Sequence, residues 1–117
     1  MNQFKKKVQQ RSNLYNEYVN IINGLLGLTN KQVLVLSKLM ELNDITPITL
    51  SLLSKDNRRE IIESCNIDEC NLSTYLTLFK NKNLLIQDGK LWKIYPGIKP
   101  LINNNTMEIV FKINVEE

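Results

Sequence analysis

Histidine and alanine are missing from this chain of 117 residues. The first absence removes the commonest general base near neutral pH and the commonest metal ligand together. Glycine is scarce. The four present, Gly24, Gly27, Gly89 and Gly97, are isolated from one another, so no glycine-rich phosphate loop is encoded. There are two cysteines, Cys65 and Cys70. They are too few for a disulfide framework, and without histidine they leave a four-ligand zinc site incomplete. Both are expected as reduced thiols. No apolar run approaches the roughly 18 residues of a membrane span. The basic start, Lys5-Lys6-Lys7, has no apolar stretch behind it and does not read as a secretory leader. These absences point away from an enzyme. The chain is expected to use no cofactor and no metal, to touch no membrane, and to work in the cytoplasm (a host cytoplasm or a virion if phage-encoded).

What remains is an ordinary globular composition, with 43% hydrophobic and 23% charged residues, and a length that suits one modest core. Asparagine, isoleucine and lysine number 16, 13 and 12. All three have AT-rich codons, whereas alanine has GC-rich ones, so the composition suggests a low-GC bacterium or a phage. Net charge is +3, and its placement says more than its size. Lys5, Lys6, Lys7 and Arg11 form a basic arm with no acidic residue among them. Such an arm suits nucleic acid or another acidic surface.

The first segment reads as a helix. Phe4, Val8, Arg11, Tyr15, Tyr18, Ile22 and Leu25 recur at spacings of four and three, a heptad seam interrupted at Arg11. Its apolar surface must pack on the rest of the chain, on a twin or on another protein. Gly24 and Gly27 punctuate its end. Leu28-Thr29-Asn30-Lys31-Gln32 then reads as a capping box, with Thr29 as N-cap and Gln32 closing it. That second helix carries Val33, Leu36, Leu39 and Met40 inward and stops near Asn43. The alternation over Ile48–Leu53 favours a short strand. Ser54-Lys55-Asp56-Asn57 offers several N-caps for a short helix expected from Arg58 to Cys65, and a tight turn follows at Asn66-Ile67-Asp68, with Asp68 placed to cap the next helix. A helix from about Glu69 to Lys82 follows, with Leu72, Leu76 and Phe79 inward and Asn83 as a left-handed residue beyond it. A hairpin follows, turning at Asp88-Gly89, a preferred type I′ pair, and returning through Trp92, which should pack on the helices. Met107, Ile109, Phe111, Ile113 and Val115 alternate cleanly, which argues a final half-buried strand. The divisions are an N-terminal helix (1–27), a central domain (28–95), and a loop with a final strand (96–117).

The stretch from Thr29 to Tyr95 resembles a winged helix-turn-helix. The likeness rests on the short helix ending in Asn66-Ile67, the Ser/Thr-rich helix after it, and the Lys82-Asn83-Leu84-Leu85 exit into a hairpin. The Leu28-Thr29 opening with Val33, Leu34 and Leu36 looks like the matching helix of MarR-like repressors. The Trp92-Lys93-Ile94-Tyr95-Pro96 ending looks like the wing exit of RepL-type replication proteins. The resemblance implies a mainly α fold with a small antiparallel sheet (α+β), and it makes 69–82 the recognition helix. Asn71, Ser73, Thr74 and Thr77 would then face bases or phosphates in double-stranded DNA. Arg58, Arg59, Lys80, Lys82 and Lys90 would meet phosphates. The expected function is a transcriptional regulator or replication-type protein. The alternative is a winged-helix module for protein contact, as in a phage assembly. The N-terminal helix and the final strand are expected to bind a second copy or another protein, burying Tyr15, Tyr18, Ile22 and Phe111.

Overall fold

The computed structural model describes the backbone of residues 3–98, 101–103 and 106–108, and side chains from Leu14 to Ile98. Four helices come first: α1 (Gln3–Leu26), α2 (Asn30–Ile45), α3 (Lys55–Cys65) and α4 (Glu69–Asn81). Two antiparallel hairpins follow, β1 (Leu85–Asp88) with β2 (Leu91–Ile94), and β3 (Leu101–Asn103) with β4 (Thr106–Glu108). A single 3-10 turn, Pro96–Ile98, lies between them. The domain is mainly helical with a small antiparallel sheet, a winged-helix-like α+β topology.

The sequence sets the helix ends through side-chain hydrogen bonds to orphan backbone groups. Thr29 and Gln32 form the expected capping box: Thr29 Oγ1 accepts from the Gln32 N–H at 3.3 Å, and Gln32 Oε1 accepts from the Thr29 N–H at 2.9 Å. Just before it, Gly27 takes a positive φ of 66°. The Asn23 amide then clips the turn, donating to the Leu28 carbonyl at 3.0 Å and accepting from the Leu28 N–H at 2.7 Å. Asn66 and Asn83 are both left-handed, at φ 52° and 60°. At Asn83 the Leu84 N–H reaches the Phe79 carbonyl at 2.9 Å and the Asn83 N–H reaches Lys80 at 3.1 Å. That pair of bonds is a Schellman ending, with Asn where Gly is commoner.

Helix α2 is the hub. Val33, Val35, Leu36, Leu39, Met40 and Leu42 are all buried along it, more than one stripe can hold, because α1, α3 and β2 all pack against it. Buried Ser37 is satisfied by the Val33 carbonyl at 2.7 Å. One continuous core joins Tyr15, Tyr18, Val19 and Ile22 of α1 to Phe79 of α4 and Ile94 of β2. The Tyr15 hydroxyl donates to Asp44, and the Tyr18 hydroxyl donates to the Ile98 carbonyl.

Four expectations need correction. Tyr15, Tyr18 and Ile22 are 3–5% exposed within the chain's own core, so α1 uses them on α2 and they are not free for a partner. Residues 48–53 form turns. Pro47 precedes them, and the strand shrinks to one backbone bond, Leu52 N–H to Trp92 O at 2.9 Å, helped by Trp92 N–H to Ser51 Oγ at 3.1 Å. Helix α3 begins at Lys55, one turn earlier than expected, because Ser54 is its N-cap. The hairpin turns at Gly89-Lys90, since Asp88 still pairs with Leu91. Of those two turn residues only Gly89 has a positive φ, the pattern of a type II′ turn rather than I′. Phe111 and the strand beyond Glu108 lie outside the described residues, as do the side chains of Phe4, Val8 and Arg11.

Candidate nucleic-acid interface

Helix α4 has two faces. Leu72, Leu76 and Phe79 are at most 1% exposed, which fixes the rotation of the helix. Asn71, Ser73, Thr74 and Thr77 are therefore turned outward, and all four are exposed. The Thr74 and Thr77 hydroxyls donate to the Cys70 and Ser73 carbonyls at 3.1 and 3.0 Å. Their protons are committed to the helix, so they present lone pairs to an incoming donor. The Asn71 backbone N–H is held by Asp68 Oδ1 at 2.7 Å. Its exposed side-chain amide offers both donor and acceptor.

The cations differ in how far they are committed. Lys80 lies 4.4 Å from the centre of the Trp92 ring, a cation–π contact that ties the end of α4 to the wing. Trp92 itself is half-buried against the core. Lys93 pairs with Asp88 at 3.4 Å across the wing, and Lys38 is shared by Glu41 at 3.7 Å and Glu60 at 3.5 Å. Arg59, Lys82 and Lys90 are exposed, while Arg58 is half-buried. Arg58 and Arg59, both named from the sequence, line one cleft with Lys55, which was not. With α3 starting at Lys55, the residues 55, 58, 59 and 62 fall at helical spacing on one face. Ser54 is one of the N-cap candidates that the sequence offers, and choosing it over its neighbours places Lys55 in the helix.

Carboxylates shape the same surface. Asp68 caps α4 and Glu69 occupies its first turn. They stabilise the helix and close that end to phosphate. Helix α3 carries Lys55, Arg58 and Arg59 in its first half, with Asp56 the acid of its first turn.

No protein-family model matches the chain. No curated protein and no solved structure matches it either. The architecture rests on the geometry: a helix bundle with a wing-like hairpin, whose shape is compatible with a surface that meets DNA or protein. No helix among the described residues is long and apolar enough to cross a membrane.

The two thiols are unbridged, Cys65 buried and Cys70 exposed. Burial pushes the Cys65 thiol up from its ordinary value, and Lys38 and Lys31 oppose this more weakly. Only the thiolate reacts, so Cys65 is both shielded and protonated at neutral pH. In a timed thiol-labelling experiment Cys70 should react in the folded protein, and Cys65 only when denaturant is added. Equal labelling rates for both would contradict the packing of α3.

Proposed function

We propose that the protein binds duplex DNA through α4, as a transcriptional regulator or a replication-type protein of a low-GC bacterium or phage. The observation that supports this best is the two-sided α4. A fully buried apolar face holds the helix in place, and an exposed polar face runs along its N-terminal half, where groove-reading helices carry their base contacts. Asn71, in the first turn, is suited to bidentate pairing with adenine. Ser73, Thr74 and Thr77 offer less selective contacts. Arg58, Arg59, Lys82 and Lys90 would anchor phosphates, which set register without reading sequence. Lys80 would do so only by leaving Trp92. The resemblance to MarR-like and RepL-type proteins points the same way. This role is binding, with no reaction assigned to the chain.

The test is selection from a pool of random duplexes. The wild-type protein should enrich one motif. Asn71→Ala should keep most of the affinity and lose preference at one base pair, about 1–3 kcal/mol of discrimination. An unchanged motif in that variant would remove α4 as the reading helix.

A second reading, protein contact, has its own observation. Ile45, Ile48 and Leu50 are 73%, 83% and 54% exposed around the α2–α3 loop, and adjoining apolar exposure of this kind marks interaction surfaces. On α1 the outward residues Ile21 and Leu25, 60% and 77% exposed, take the place of Tyr15, Tyr18 and Ile22 as candidates for self-association.

A further inference from the structure

A cleft of about 510 Å³ opens between α3 and the first residue of α4, lined by Leu53, Lys55, Arg58, Arg59, Ile62 and Glu69. Three features single it out. First, Lys55, Arg58 and Arg59 stand at i, i+3 and i+4 on α3, where like charges repel. Among the described residues none of the three pairs with a carboxylate. Second, Arg58 Nε is buried with no hydrogen-bond partner. A guanidinium stays charged and carries five donors in a fixed fork that matches phosphate, and a buried donor left unpaired is unfavourable. An anion bound by the other guanidinium donors would relieve the repulsion. Third, the walls are not uniformly polar. Leu53 and Ile62 are half-buried apolar residues packed on the core, and Glu69 supplies an acceptor on the α4 side.

We propose that this cleft binds a small phosphate monoester of nucleotide size. Arg58 and Arg59 hold the phosphate along α3, with Lys55 at the rim. Leu53 and Ile62 pack against the body of the ligand, and Glu69 accepts from a ligand hydroxyl. Inorganic phosphate would leave Leu53 and Ile62 uncovered, whereas the base and sugar of a nucleoside monophosphate give them a body to pack against. Because Arg58 and Arg59 also serve as phosphate anchors in the DNA reading, occupancy of the cleft would compete with duplex. That consequence rests on the DNA reading, but the binding itself does not.

The experiment is thermal unfolding of the full chain without DNA, at constant ionic strength, with adenosine 5′-monophosphate, adenosine or inorganic phosphate added at millimolar concentration. The monophosphate should raise the melting temperature by about 3–8 °C at roughly ten times its dissociation constant. Adenosine should not, and inorganic phosphate should do so less. Arg58→Gln should abolish the shift. Lys55→Gln, at an exposed position, should reduce it and serves if the first variant fails to fold. No shift with the monophosphate, an equal shift with adenosine or with inorganic phosphate, or an undiminished shift in both variants would overturn the proposal. No DNA enters these melts, so their failure leaves the DNA reading standing. Conversely, a monophosphate shift in a protein that ignores duplex would support the cleft and remove only the competition.

Discussion

Phe79→Ala should lower the free energy of unfolding by about 3–5 kcal/mol, the usual loss when a buried phenylalanine is truncated. Phe79 is 0% exposed and sits where three elements meet. Its side chain belongs to the core that α2 and the wing share, and its carbonyl accepts the Leu84 N–H that ends α4. The cavity left by alanine would lie under the turn that aims the hairpin, so the surroundings have little room to collapse into it. A domain of this size is stable by about 5–15 kcal/mol in all, so the variant should be partly unfolded near its working temperature. Urea denaturation is the check. The midpoint should fall with little change in slope, while Thr74→Ala on the exposed face stays within about 0.5 kcal/mol of wild type. A loss below about 0.5 kcal/mol for Phe79→Ala would mean that α4 is rotated and that its polar face is not the outward one.

The parts of the fold that were legible in the sequence are those set by local rules. The Thr29–Gln32 capping box, the Asp68 cap, the left-handed Asn83 and the inward face of α4 each follow from a few neighbouring residues, and each is present. What could not be read depended on distant partners. The alternation over Ile48–Leu53 looks like a strand, but strand formation needs a neighbour along its whole length, and the wing offers only Trp92. The heptad of α1 specifies an apolar face without specifying its occupant, and α2 turns out to cover Tyr15, Tyr18 and Ile22. The abundance of asparagine reads as a coding bias, yet several of these side chains close backbone bonds. Asn57 donates to the Leu52 carbonyl at 2.9 Å and to Thr46 Oγ1 at 3.0 Å. Asn43 accepts from the Ile94 N–H at 3.3 Å and so joins α2 to the wing. Spacing alone does not distinguish such an asparagine from a solvated one. At the candidate site the polar face of α4 was readable from its period. The cleft beside α3 was not, because a one-turn error in the helix start hid Lys55 and the stripe to which it belongs.

The second large effect is expected at Arg58 and Arg59. If they anchor phosphate, replacing both by alanine removes two charge-assisted hydrogen-bonding partners, each worth about 1.5–3 kcal/mol. Affinity for duplex should then fall by at least about a hundredfold, and by the same factor for every sequence, because phosphate carries no base information. The salt dependence should flatten by about two units of slope, roughly 0.9 for each phosphate that is no longer neutralised. Circular dichroism should show unchanged helix content, since Arg59 is exposed and the Arg58 Nε makes no hydrogen bond in the fold. A loss confined to one sequence would move these residues from anchoring to reading. No loss at all would detach α3 from the interface.

The most direct test of the central reading is the affinity of the wild-type protein for a short duplex, measured by fluorescence anisotropy across a salt series from about 50 to 200 mM. Arg58, Arg59, Lys82 and Lys90 are the expected phosphate anchors. Four phosphates neutralised should make log affinity fall against log salt with a slope near roughly −3.6. A slope of about that size, flattened in the double arginine variant, is the predicted result. Affinity that is undetectable at about 50 mM salt, or unchanged across the series, would contradict DNA binding by this surface.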